Sequence, residues 1–84
     1  MAYDVTVATK AFKVLAKINE PAYSAIKAAV NDLAENPRPF GYKKLKEREG
    51  YRIRVGDYRV IYTIFDVLLQ VEVITIGHRK DVYD

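Results

Sequence analysis

The apolar positions of this chain follow a two-residue period, then a helical one, then a two-residue one again. Tyr3, Val5 and Val7 alternate with Asp4 and Thr6, the pattern of a short strand with one buried face. From Ala8 the spacing turns helical: Ala8, Ala11, Phe12, Leu15 and Ala16 make one stripe, and Lys10, Lys13 and Lys17 line the opposite, solvated side. Asn19-Glu20-Pro21 interrupts, and Pro21 fits the first turn of a second helix whose stripe is Ala22, Ile26, Ala29, Val30 and Leu33. That helix ends at Asn36-Pro37-Arg38-Pro39, because a residue before proline is pushed out of the helical region. Lys43 to Glu49 is polar and reads equally as a loop or a sheet edge.

From Tyr51 the strand signal is strong. Tyr51, Ile53 and Val55 alternate with Arg52 and Arg54, and after Gly56-Asp57 the residues Tyr58, Val60, Tyr62 and Ile64 resume the alternation. This predicts a hairpin with a two-residue type II′ or I′ turn. A third strand is predicted over Leu68 to Ile76, after Asp66-Val67. The order strand, helix pair, antiparallel meander makes the fold class α+β, a short N-terminal strand and an αα-hairpin followed by a β-meander with both helices on one face of the sheet. A chain of 84 residues has room for one thin core, so 1–84 reads as a single domain.

Composition removes several chemistries. There is no Cys, so disulfides, thiolate metal sites and Cys nucleophiles are absent, and nothing prevents folding in a reducing compartment. The acidic residues are scattered and His78 is the only His, which leaves no grouped ligands for a metal; none is expected, nor any cofactor. No basic stretch with an apolar run behind it opens the chain, and no run approaches the roughly 18 apolar residues of a membrane span. A cytoplasmic protein with no membrane association is the expectation.

The net charge of +3 is an average over unlike parts. Residues 1–37 are neutral, 38–59 carry eight basic residues against three acidic ones, and 60–84 are slightly acidic. The basic block holds Lys43, Lys44, Lys46 and Arg48 among Phe40, Tyr42, Tyr51 and Tyr58, a footprint suited to a polyanion such as RNA. With Gly56-Asp57 as the turn, Arg54 faces Arg59 and Arg52 faces Ile61 across the hairpin, so Arg52, Arg54 and Arg59 share one face. Like charges directly opposite each other destabilise a sheet. The arrangement makes sense if an anion with several oxygens sits between the guanidiniums; neutralisation by a carboxylate such as Glu72 is the structural alternative. The end of the third strand brings His78, Arg79 and Tyr83 towards the same place. Such a set would suit metal-free RNA cleavage, in which a 2′-hydroxyl attacks the adjacent phosphate, cations stabilise the phosphorane and the imidazole of His78 moves a proton.

The segments Tyr51-Arg52-Ile53-Arg54-Val55, Asp57-Tyr58-Arg59-Val60-Ile61-Tyr62 and Ile76-Gly77-His78-Arg79-Lys80-Asp81-Val82-Tyr83 resemble toxins of the RelE/ParE superfamily, in particular its RelE branch. The likeness extends over nearly the whole chain, including the opening Met-Ala-Tyr and Asn-Pro-Arg before a Lys-Leu segment. It implies a bacterial type II toxin that cleaves messenger RNA in the ribosomal A site and is neutralised by a RelB-like antitoxin, monomeric alone and hetero-oligomeric with that partner. Arg59 and Arg79 match the family's catalytic arginines, on phosphate stabilisation and the leaving group, and Tyr83 matches the C-terminal tyrosine that orients or stacks on substrate. Arg52 and Arg54 stand where the best-known member type has lysines. An arginine cannot act as a base. The proton acceptor is then His78, or the nearby phosphate and water. A ParE-like toxin that binds DNA gyrase, and an RNA-binding module with impaired catalysis, are the two other readings.

Overall fold

Among residues 2–78, which the computed structural model describes, the elements run β1 (Asp4–Val7), α1 (Thr9–Ala16), α2 (Ala22–Asp32), β2 (Lys43–Lys44), β3 (Tyr51–Val55), β4 (Tyr58–Phe65) and β5 (Gln70–His78). The fold is the expected α+β arrangement of a helix pair on one face of a sheet. The five strands lie in the order β1-β5-β4-β3-β2. β2 to β5 form the antiparallel meander, and the polar stretch the sequence left open supplies β2 as a two-residue edge strand.

β1 closes the other edge, parallel to β5, with Asp4 opposite Gln70 and Val7 opposite Val73. The core forms where the helical stripes meet the sheet: Ala11 and Leu15 of α1, Ile26 and Val30 of α2 and Leu33 pack with Ile53, Val60, Tyr62, Val71, Val73 and Ile76. At its centre the buried Tyr62 hydroxyl donates to the Pro37 carbonyl at 2.7 Å, tying the helix-to-sheet connection to β4.

Two expectations shift, and a third feature is one the sequence reading did not address. Phe12 and Ala16, counted with the first helical stripe, are exposed, Phe12 at 62%. Helix α1 is only eight residues long, so it buries a narrow strip, Ala11 and Leu15, against the sheet. The third strand begins at Gln70 rather than Leu68, because the connection from Phe65 is a tight turn in which Leu68 N–H donates to Phe65 O and Leu69 N–H to Asp66 O. Finally, β5 carries a bulge. Ile61 pairs with Thr75 while Tyr62 pairs with Val73, so Ile74 is an extra residue. The bulge shifts the alternation: Val71, Val73 and then Ile76, not Thr75, face the helices.

Candidate functional site

The hairpin register is the one the alternation predicts, with Val55 opposite Tyr58, Arg54 opposite Arg59, Ile53 opposite Val60 and Arg52 opposite Ile61. Gly56 sits at φ +58°, and Asp57 is not among the residues with positive φ, which makes the turn type II′. The residues flanking such a turn exchange the closing hydrogen bond, so Val55 and Tyr58 form a hydrogen-bonded pair. The next pair along the ladder, Arg54 and Arg59, is then non-hydrogen-bonded, the class in which Cα atoms approach to about 4.5 Å and side chains lie closest. Two guanidiniums are thus rooted at the tightest spacing a sheet allows.

Lys43 pairs with Arg52 across β2 and β3, which puts Lys43, Arg52, Arg54 and Arg59 on one face, turned away from the helices. Their environments differ. Arg54 is exposed, and Arg59 is half-buried with its Nε out of solvent. Arg52 is only 3% exposed. Its cross-strand neighbour Ile61 and the nearby loop residue Leu45 are likewise buried, although neither belongs to the core under the helices. Ile61 occupies a position that strict alternation assigns to the polar face, and that misfit was the signal that this face carries a small apolar patch of its own. Arg54 and Arg59 therefore offer the accessible charge, with Arg52 set into the sheet beneath.

Glu72 does share this face, but it pairs with Thr63, whereas Arg59 pairs with Gly77. The Glu72 backbone is therefore set four residues, about 13 Å, along the strand from that of Arg59. His78 does not join the cluster as the sequence reading expected. It pairs with Tyr58 and takes Tyr58's side of the sheet, their rings 5.5 Å apart and nearly perpendicular. The reason is the bulge: unbroken alternation from Val71 and Val73 would turn position 78 to the arginine face, and the extra residue Ile74 turns it to the helix face. There it lines a cleft of about 450 Å³ with Lys10 and Val14 of α1 and Lys17 just after it. Arg79 and Tyr83 lie outside the described residues.

The remaining basic residues separate from the pair. Lys44, opposite Tyr51, together with Lys46 and Arg48 lines a groove of about 610 Å³ near Phe65, at the far end of β3 and β4. Arg38, counted with the basic block, is instead bound by Asp66.

A family model described as the ParE toxin of the type II toxin–antitoxin system parDE matches residues 5–83. Among solved structures the chain is similar to one in the archaeal RelE–RelB complex from Pyrococcus horikoshii OT3, with TM-score 0.84 and 26% identity over 98% of this chain and 100% of that one. It is also similar to a chain of the RelBE2 toxin–antitoxin complex from Mycobacterium tuberculosis, with TM-score 0.82 and 28% identity over 94% and 93% of the two chains. In the intact E. coli RelBE complex the corresponding values are 0.78 and 26%, over 92% and 96%. No curated protein sequence matches the chain.

Proposed function

The chain belongs to the family of ParE toxins of type II toxin–antitoxin systems and has the fold of RelE, and from that premise we propose that it is a ribosome-dependent endoribonuclease acting on messenger RNA in the ribosomal A site. The observation that carries this reading is the Arg54–Arg59 pair on the face away from the helices. Two adjacent planar forks are matched to the non-bridging oxygens of a phosphodiester.

In the reaction, the 2′-hydroxyl of the nucleotide before the scissile bond attacks phosphorus, its proton leaves, and the 5′-oxygen of the next nucleotide departs with a proton. The products are a 2′,3′-cyclic phosphate and a 5′-hydroxyl. Arg54 and Arg59 stabilise the charge that grows on the phosphorane; removing one such preorganised donor typically lowers kcat by about 10²–10³-fold. Arg52, set deeper, acts by holding the positive potential of the site. Arg79 on the leaving group and Tyr83 on the neighbouring base complete the proposal. With His78 on the other face, the proton acceptor is the phosphate itself or water. Lys44, Lys46 and Arg48 would hold the RNA backbone away from the reacting bond, and an antitoxin of the RelB type, seen with the similar toxins, would bind and silence the chain.

A second reading follows from the family model itself, which is that of ParE: a toxin that binds DNA gyrase and cleaves no RNA. One experiment separates the two. The chain is induced in bacteria and message ends are mapped by primer extension, beside Arg59→Ala. New ends within translated codons that vanish in the variant support the nuclease. Growth arrest with intact messages and accumulated gyrase-linked DNA breaks refutes it.

A further inference from the structure

Just before β2 the chain makes a tight turn from Pro39 to Tyr42. Tyr42 N–H donates to Pro39 O at 3.0 Å, and Gly41 takes φ +89° while Phe40 is not among the residues with positive φ, which makes the turn type II. Phe40, the first of its two central residues, is carried clear of the protein and is fully exposed, at 107%. Beside it opens a cleft of about 360 Å³, with Ala29, Pro39 and Ile53 as apolar walls and Asp32 and Arg54 as charged members. Asp32 is the last residue of α2, the end at which the helix dipole disfavours a carboxylate. Neither Phe40 nor Asp32 is called for by packing or by the helix, and both border one cleft.

We propose that this cleft is a nucleobase pocket, with Phe40 as its stacking surface and Asp32 as its reading group, and that the base it selects is guanine. The inference deepens the reading of the chain as a nuclease and rests on it. An aromatic ring held in solvent is a surface on which an unpaired base stacks. The volume lies near the lower end of the roughly 300–1,000 Å³ usual for small-ligand sites, which suits one planar ring system. A carboxylate only accepts hydrogen bonds. Guanine offers it two donors side by side, N1–H and the N2 amino group, matched to its two oxygens. Adenine and cytosine present one amino group beside a bare ring nitrogen, whose lone pair opposes the second oxygen, and uracil presents one N–H between two carbonyls. Arg54 belongs both to the cleft and to the face turned away from the helices, so the base is that of the nucleotide whose phosphate Arg54 holds. An apolar side chain of a partner protein fits the walls but leaves the Asp32 carboxylate shielded from water without a donor.

The test titrates the full chain with the four ribonucleoside 5′-monophosphates, followed by amide NMR. Guanosine monophosphate is expected to shift the Asp32, Phe40 and Ile53 resonances saturably and to bind about tenfold or more tighter than the other three, the equivalent of one charge-assisted hydrogen bond. In Asp32→Asn the side chain accepts at one atom and donates at the other, so the preference should move to xanthosine 5′-monophosphate, which carries an oxygen where guanine has its amino group. Phe40→Ala should weaken all the nucleotides alike. Both side chains are exposed, so the free variants should keep the parent spectrum elsewhere. Equal binding of the four nucleotides, a guanine preference unchanged in Asp32→Asn, shifts confined to other elements, or no saturable binding up to about 10 mM would each overturn the pocket. Cleavage of ribosome-bound message is scored separately. A chain that binds guanosine monophosphate as described yet cuts no message refutes the nuclease reading alone, and one whose choice of cleavage sites is unchanged in Asp32→Asn refutes the pocket alone.

Discussion

Arg38 grips Asp66 with both terminal nitrogens, Nη2 at 2.9 Å from Oδ2 and Nη1 at 3.2 Å from Oδ1. The pair joins the loop after α2 to the turn between β4 and β5, and Tyr3, just before β1, adds its hydroxyl to Asp66 Oδ1 at 2.7 Å. The guanidinium also lies 5.8 Å from the centre of the Tyr51 ring. Three distant stretches thus meet at one carboxylate. The node holds the hairpin at the end away from the Gly56-Asp57 turn.

This node sets a pH dependence. The hydrogen bonds from Arg38, and then from Tyr3, hold the Asp66 carboxyl below its ordinary value of 3.8. A carboxyl depressed in the folded state contributes stability that is complete above its unfolded value and fades as pH falls through the folded one. Asp66→Asn should therefore lower the melting temperature at neutral pH, with the gap to the parent chain closing below about pH 4. The pair is exposed, so the effect is modest and shrinks with added salt. Melting curves from pH 7 to 2 check it; a gap that is constant across the range refutes the assignment.

Tyr62 is a different case because it is wholly buried. Burial pushes its phenol well above the ordinary value, so the hydroxyl stays a donor to Pro37 throughout the accessible range. Tyr62→Phe leaves the Pro37 carbonyl buried without that donor, which costs about 1–3 kcal/mol. In a domain of this size, that is a fall in melting temperature of about 4–8 °C per kcal/mol. Urea unfolding with an unchanged m-value is the confirming measurement.

Local signals made the hairpin legible. The two-residue period from Tyr51 to Ile64 and the Gly56-Asp57 turn fix the register by counting, which is why the Arg54–Arg59 pairing is found as predicted. What escaped the sequence depends on partners far along the chain. The parallel pairing of β1 with β5 joins residues more than sixty positions apart, and no local pattern encodes it. Arg52 looks like any alternating polar residue, and only its placement against Ile61 and near Leu45 reveals its burial. The bulge at Ile74 is subtler, since Val71-Glu72-Val73-Ile74-Thr75-Ile76 satisfies either phase until the core selects Ile76.

That bulge decides the role of His78. A general base contributes about 10²–10⁴-fold to a proton-transfer reaction, so its loss would be plain in any cleavage assay. On the helix face, stacked edgewise against Tyr58, the imidazole lies across the sheet from Arg54 and Arg59. His78→Gln is expected to retain cleavage of ribosome-bound message to within a few-fold of the parent, far above the loss a missing base would cause. A drop of about 10²-fold or more, with an unchanged melting curve, would restore His78 to the reaction.

The arginine pair calls for a substitution whose effects on stability and activity have opposite signs. Arg54 is exposed, lies at the closest cross-strand spacing from another guanidinium, and contributes no surface to the core. Arg54→Ala removes a like-charge opposition, which should raise stability slightly, by a few tenths and at most about 1 kcal/mol. The same change should reduce message cleavage by about 10²-fold or more, as expected for a lost phosphate-stabilising donor. Arg54→Lys keeps the charge but not the fork, so it should recover stability close to the parent and only part of the activity. Melting curves and single-turnover cleavage on programmed ribosomes, read together, give the answer. If Arg54→Ala destabilises the fold, the pair is a structural device rather than an anion site; if it is stable and fully active, Arg54 has no part in the chemistry.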